Sequence, residues 1–186
     1  MKNRTTVERK SERERVVTRI FNGPARIVFE AWTKPELLKR WWAPKSTGVS
    51  LLSCEADVRV GGRYRFEFGH EASRVMAFFG RYIEVIPHSR LFGEAVGCGA
   101  IRTLGPGVGE IKRMWVSPQV RGIGVGGRLL QALEREARRR KLRTVRLDTN
   151  GSLVEALRLY RTSGYRDIAR YNDNPYAHDW FEKTLS

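Results

Sequence analysis

Val116-Ser117-Pro118-Gln119-Val120-Arg121-Gly122-Ile123-Gly124-Val125-Gly126-Gly127 lies between a short apolar strand and a long amphipathic helix. Arg121, Gly122, Gly124, Gly126 and Gly127 leave a loop with few side chains directly ahead of Leu129-Leu130. Such a loop presents consecutive backbone N–H groups, and the positive end of a helix dipole stands behind them. That is a site for a diphosphate. Gly122, Gly124 and Gly127 also satisfy a dinucleotide-binding pattern, with Asp148 about where a ribose-binding acid is sought. That pattern needs its first glycine tight against the end of a strand, whereas Ser117 to Arg121 intervene here. The segment that follows is also too short for a doubly wound dinucleotide domain.

Outward from the loop, the order after Phe92 reads strand, strand, glycine loop, helix, strand, helix, strand. Residues 94–102 and 110–116 flank a turn at Leu104-Gly105-Pro106-Gly107. The helix 126–140 buries Leu129, Leu130, Leu133 and Ala137 and turns its arginines outward. Residues 144–148 read as a strand, 153–162 as a helix stopped at Ser163-Gly164, and 180–183 as a last strand. Before residue 91 the pattern is mainly β. A strand over 16–21 is followed by helical spacing from Ala25 to Trp42, interrupted at Pro35. Residues 54–60 and 64–68 form a hairpin around Gly61-Gly62, and Val75 to Ile86 is a further strand.

Composition sets bounds on function. The 186 residues are 41% hydrophobic and 10% aromatic, enough for a real core and too apolar for a disordered chain. The net charge of +15 raises nucleic acid as a partner. However, residues 1–92 hold 18 Lys/Arg against 10 Asp/Glu, and residues 93–186 hold 17 against 10. The excess is spread, and its densest cluster, Arg138 to Arg143, closes a helix. A solvated basic surface is expected, with no specific nucleic-acid partner. His70, His88 and His178 are scattered and Cys54 and Cys98 form no ligand spacing, so the expectation is free thiols and no metal. No run of 18 apolar residues is present, and residues 1–15 are charged without an apolar signal region. The expectation is a cytoplasmic protein outside the membrane.

Several features in register carry a resemblance. Arg121-x-x-Gly124-x-Gly126, then Asp148-Thr149-Asn150, then Leu159-Tyr160-x-x-x-Gly164-Tyr165 are similar to the GNAT N-acetyltransferases over residues 93–186. The tail Arg170 to Lys183 also resembles one bacterial subgroup of these enzymes. The resemblance implies acetyl-CoA as co-substrate and a small-molecule or peptide amine as acceptor. It implies a diphosphate held by Arg121, Gly122, Gly124, Gly126 and Gly127, and a pantetheine arm along main-chain groups of Met114 and Val116 and the side chain of Asn150. Strand 110–116 is expected to splay from 144–148 to admit that arm. Tyr160 is the candidate acid that protonates the departing thiolate, and Glu110 the candidate base, acting through water if distant. Asn150 also reads as an ordinary Asn-Gly turn. Tyr171, Asn172, Asn174 and His178 are candidates for the acceptor pocket, and Trp115 and Tyr165 read as packing residues.

The other half resembles the START-like superfamily, among the proteins similar to the C-terminal domain of the activator of a chaperone ATPase. The signature is Phe21-Asn22-Gly23-Pro24, then Val28 to Lys45 with its Trp-Thr-Lys-Pro-Glu-Leu-Leu-Lys-Arg-Trp-Trp run. Gly61-Gly62-Arg63-Tyr64-Arg65-Phe66 and Gly80 to Pro87 complete it. The strands and long helix that end that family's domain are absent here, as are the first strand and two helices of the acetyltransferases. The expected fold is thus α+β. A charged tail 1–14 precedes a partial START-like antiparallel sheet with helix over 15–91. A partial GNAT mixed sheet with two helices follows over 92–186. Three functions stay open: an N-acetyltransferase, a START-like module for an apolar ligand or chaperone partner, and a fusion product with vestigial activity. The acceptor amine and the oligomeric state are not readable.

Overall fold

A computed structural model describes residues 5–12, 14–43, 46, 48–70 and 74–186. The stretch expected as a charged tail carries a strand. β1 (Thr5–Arg9) and β2 (Arg15–Arg19) form an exposed antiparallel ribbon. Its β-branched pairs Thr6–Thr18 and Val7–Val17 lie opposite one another, and Arg19 donates to Thr5 Oγ1 at 2.9 Å. The helical spacing resolves into α1 (Ala25–Thr33) and α2 (Pro35–Trp41). Pro35 has no N–H to continue a helix and forces Lys34 into an extended conformation, so the break falls there.

The other strands join one eight-stranded sheet. In chain order these are β3 (Ser50–Ala56), β4 (Arg63–His70), β5 (Arg74–Ile86), β6 (Arg90–Gly105), β7 (Val108–Val116), β8 (Thr144–Thr149), β9 (Arg166–Asp167) and β10 (Asp179–Thr184). Their order across the sheet is β3-β4-β5-β6-β7-β8-β10-β9, and only the β7–β8 pair is parallel. Helix α3 (Val125–Arg139) links β7 to β8, and α4 (Val154–Thr162) follows β8. β6 runs through residues 91 and 92, where the two sequence patterns meet, and pairs with β5 from Arg90 to Arg102. Two partial sheets with open edges have thus closed against each other, which removes the edge that each would expose alone.

Cross-strand partners share a face, so the register sorts the site. Val75, Ile101, Ile111, Leu147 and Phe181 form one row, and Ile101 and Phe181 have no solvent exposure. Leu129, Leu130, Leu133 and Ala137 of α3 pack over this face, together with Tyr160 and Tyr165. A Cβ on Gly99 would lie 2.9 Å from Leu133 Cδ1, so the bare backbone there sets how closely α3 sits. The opposite face carries Phe66, Phe78, Cys98 and Trp115 in one row and Phe68, Met76, Ala100 and Lys112 in the next. At its β3–β4 end α2 covers it, with Leu38 buried and Trp42 5.5 Å from Phe66, ring to ring. The two cysteines are free and half-buried. Among the described residues no helix is long and apolar enough to cross a membrane.

Candidate active site

The parallel β7–β8 pairing begins at Val108–Thr144 and ends at Ile111–Leu147. β7 continues to Val116 and β8 to Thr149, so beyond Ile111 the two strands part. β8 stays paired with β10 along its whole length, and β7 stays paired with β6. The turn away is built into β7. Gly99 of β6 stands opposite two residues, Arg113 and Met114, and Arg113 takes a left-handed φ of 53°. This is a bulge, which bends its strand and increases the local twist. Met114 and Val116, expected along the pantetheine arm, both lie in the parted stretch.

The same strand leads into the glycine loop expected to hold a diphosphate. Pro118–Val120 form a single 3-10 turn, and Arg121 to Gly124 are exposed. Arg121 folds back, donating from Nε to the Val116 carbonyl at 3.3 Å. Gly122 and Gly124 hold φ of +77° and +81°, a region that side chains with a Cβ rarely adopt. Gly124 is the N-cap of α3; no side chain caps the helix and its first turn holds no acid. The N–H groups of that turn, with no carbonyl of the helix to accept them, are the donors a diphosphate requires. Gly126 has a different reason to be small: its Cβ would stand 3.3 Å from Leu159 of α4.

Across the fork lies a polar cluster. Glu110 is fully buried. Its Oε1 accepts from Tyr171 Oη at 2.8 Å, Asn172 Nδ2 at 3.2 Å and Lys112 Nζ at 3.1 Å, while Arg102 Nε donates to Oε2. Burial alone would raise its pKa. The donors from Arg102, Tyr171 and Lys112 outweigh it and hold the carboxyl below the ordinary carboxylate range. Asp148 behaves alike: burial raises its pKa, but Lys112, Asn172 at 2.5 Å and Asn174 at 2.9 Å lower it further. Trp180 Nε1 donates to Asn172 Oδ1 at 3.1 Å, and thereby orients that carboxamide. Tyr171, with its pKa raised by burial and by Glu110, remains a hydroxyl donor.

Tyr160 sits near this cluster but in the core. It is 6% exposed, its ring 5.8 Å from Phe181 and 6.0 Å from Tyr165. Burial and, secondarily, the charge of Asp148 push its pKa up to about 12. Asn150 takes the turn geometry: its Nδ2 donates to the Tyr176 carbonyl at 3.0 Å and its Oδ1 accepts from Ser152 N at 2.9 Å. His178, also exposed, accepts from Gly151 N at 3.2 Å and braces that turn from the other side.

The structure thus brings Glu110, Tyr171, Asn172 and Asn174 together and leaves His178 outside. Tyr165 packs as expected. Trp115 does not: it is 43% exposed on the face away from α3, because the bulge at Arg113 turns it out of the core. Arg102, Lys112 and Trp180 were not foreseen. For Lys112 a signal existed, since it stands two residues from Glu110 on one strand and must share its face.

Residues 61–165, more than half of the chain, match the model of the acetyltransferase (GNAT) family. Residues 22–95 match that of activator of Hsp90 ATPase homolog 1-like proteins, and the two overlap over 61–95. The chain is 42% identical over 93 residues to an IAA acetyltransferase of Azospirillum brasilense, covering 49% of this chain and 59% of that protein. It is 34% identical over 84 residues to an uncharacterized N-acetyltransferase of Schizosaccharomyces pombe, covering 45% and 52%. The chain therefore spans little more than half the length of the curated relatives it matches. A GNAT-family acetyltransferase from Staphylococcus aureus, 16% identical, shares the fold at a TM-score of 0.50, covering 62% of this chain and 70% of that one. A parted pair of parallel strands, an uncapped glycine loop at the parting and this family match agree, and the chain belongs to the GNAT acetyltransferase family.

Proposed function

We propose that the protein is an acetyl-CoA-dependent N-acetyltransferase acting on an amine. The observation that carries this reading is the end of β7–β8 pairing at Ile111–Leu147, five residues before the strand runs into an uncapped, left-handed glycine loop. The coenzyme, when bound, supplies an acetyl thioester and departs as a thiolate. The Arg121–Gly127 loop holds its diphosphate, and main-chain groups of Met114 and Val116 hold the pantetheine arm in the parted stretch. Asn150 contributes by fixing the 149–153 turn at the end of β8.

Tyr160 is the proton donor to the leaving sulfur. With a pKa near 12 it stays protonated throughout the working range, so the proton is available when the thiolate forms. Glu110 draws the proton from the acceptor amine. It is fully buried, so the route runs through Tyr171, whose hydroxyl accepts from the amine as it donates to Oε1 at 2.8 Å. The low proton affinity of Glu110 makes this a transient relay rather than a resting base.

Two measurements test the reading. Acetyl-CoA titrated calorimetrically into the full chain gives saturable binding, and absence of heat at millimolar coenzyme overturns the proposal. Tyr160→Phe lowers turnover on the order of 100-fold while coenzyme affinity stays within about twofold. Unchanged turnover removes Tyr160 from the chemistry. A second reading has one observation in its favour. A cleft of about 520 Å³ between α1 and the β5–β6 turn is lined by Phe21, Val28, Phe29, Trp32 and Leu91. A thermal shift with apolar ligands but none with coenzyme would favour a START-like binding module instead.

A further inference from the structure

On the α3 face, β4 and β5 extend the sheet past the helix and leave a groove of about 970 Å³ between its flank and the strands. Strands from one sequence pattern make one wall and the helix of the other makes the second, so the groove exists only through their union. Its floor is apolar, with the half-buried Ala77, Phe79, Val125 and Ala132. Its rim is not electrically balanced. Glu55 stands opposite Arg65 across the β3–β4 ladder, Glu67 pairs with Arg65, and Glu136 is occupied by Arg139 at 2.8 Å and Arg140 at 2.7 Å. Among the described residues Arg63, Arg128 and Arg135 make no ion pair, and all three line the groove. Arg81, opposite Arg63 across the β4–β5 ladder, is itself paired with Glu94 at 3.1 Å, which leaves Arg63 as the uncompensated charge of that row.

We infer that this groove binds an amphipathic anion, an apolar chain or ring system ending in one carboxylate. The unpaired guanidinium groups on the rim suit a carboxylate, because their planar forks accept it with two parallel hydrogen bonds. The apolar floor buries the body of such a molecule. Arg128 also borders the diphosphate loop, its Nη1 lying 3.3 Å from where a Gly124 Cβ would stand. A ligand that draws Arg128 into the groove therefore weakens coenzyme binding, and by reciprocity coenzyme weakens the ligand's.

The site is tested with decanoate titrated calorimetrically into the full-length protein, free of coenzyme. Saturable 1:1 binding is expected, at least tenfold tighter than that of decyltrimethylammonium. Arg135→Glu, on the exposed side of α3, and Ala132→Trp, which fills the groove, each weaken decanoate binding at least tenfold. Circular dichroism melts of both variants within a few degrees of wild type show that the fold is retained. Gly124→Ala, which strains the coenzyme loop without offering Arg128 a carboxylate, keeps decanoate binding, which separates this site from the coenzyme loop. Equal affinity for the cationic amphiphile, or full affinity in Arg135→Glu, overturns the inference. So does sedimentation with anionic vesicles in the absence of decanoate binding, which would make the patch a membrane contact.

Discussion

Gly124→Asp reduces coenzyme A affinity about 1,000-fold, roughly 4 kcal/mol at room temperature. Two effects add. Gly124 sits at φ +81°, and a side chain there costs about 1–2 kcal/mol in the conformation the loop now holds, so the binding-competent loop is less populated. The new carboxylate stands where the proposed function puts the diphosphate, and two such charges a few ångströms apart near a surface repel by about 4 kcal/mol. Arg128, 3.3 Å from that Cβ position, partly compensates by pairing with the aspartate, but is then lost to the phosphates. Gly124→Ala separates the contributions: it carries the strain without the charge and weakens binding only about tenfold. Isothermal titration of coenzyme A into both variants is the measurement. Equal loss in both would assign the whole effect to loop conformation, and no loss in either would place the diphosphate elsewhere. Gly126 is the poorer choice for this test, because Leu159 of α4 packs against it.

The conformation of the glycine loop was legible because its signal is local. Glycine spacing, a preceding strand and a following amphipathic helix are all read within about 20 residues of one another. The Tyr160 helix was legible for the same reason, and the parting of β7 from β8 followed from the resemblance that those residues carried. What the chain keeps from a sequence reader is set by register between distant strands. Lys112 and Asp148 are 36 residues apart and meet only because Ile111 pairs with Leu147 in a parallel ladder. Arg102 reaches Glu110 across the β6–β7 hairpin, where a one-residue slip would point it to the other face. Asn150 shows the limit in reverse. Its motif position suited a ligand contact, while its carboxamide is engaged by the Tyr176 carbonyl and the Ser152 amide.

The junction was legible as a change of pattern and not as a structure. Residues 90–105 alternate well enough to form one long strand, and the period-2 pattern says nothing about which strands will flank it. Only the ladder shows that β5 supplies the neighbour that β6 lacked, and that α2 thereby lies on the same face as the Glu110 cluster. α2 covers the β3–β4 end of that face. Trp115 and Phe78, 43% and 37% exposed, occupy the uncovered span between α2 and the cluster.

Glu110→Ala destabilises the protein by about 3–5 kcal/mol, the usual cost of removing one partner from a buried ionic network. Arg102, Lys112, Tyr171 and Asn172 all donate to this one carboxylate, and the substitution leaves Lys112 with Asp148 alone. Glu110→Gln keeps the shape but offers one carbonyl oxygen and two unwanted N–H donors toward Arg102 or Tyr171, so it recovers only part of the loss. The pH dependence fixes the cause. The folded-state pKa of Glu110 lies below its unfolded value, so its stabilisation is present above the unfolded pKa of about 4.3 and is lost as pH falls through the folded one. Asp148 shifts the same way and contributes over the same acidic range. Urea unfolding at pH 7 therefore separates wild type from Glu110→Gln clearly, and the gap closes as the pH is taken from about 5 toward 2. A gap that stays constant over that range would mean that Glu110 acts by packing rather than by charge. A retained fold with lost turnover in Tyr171→Phe, which removes one donor of four, would then mark the hydroxyl as the proton path and the remaining three donors as its support.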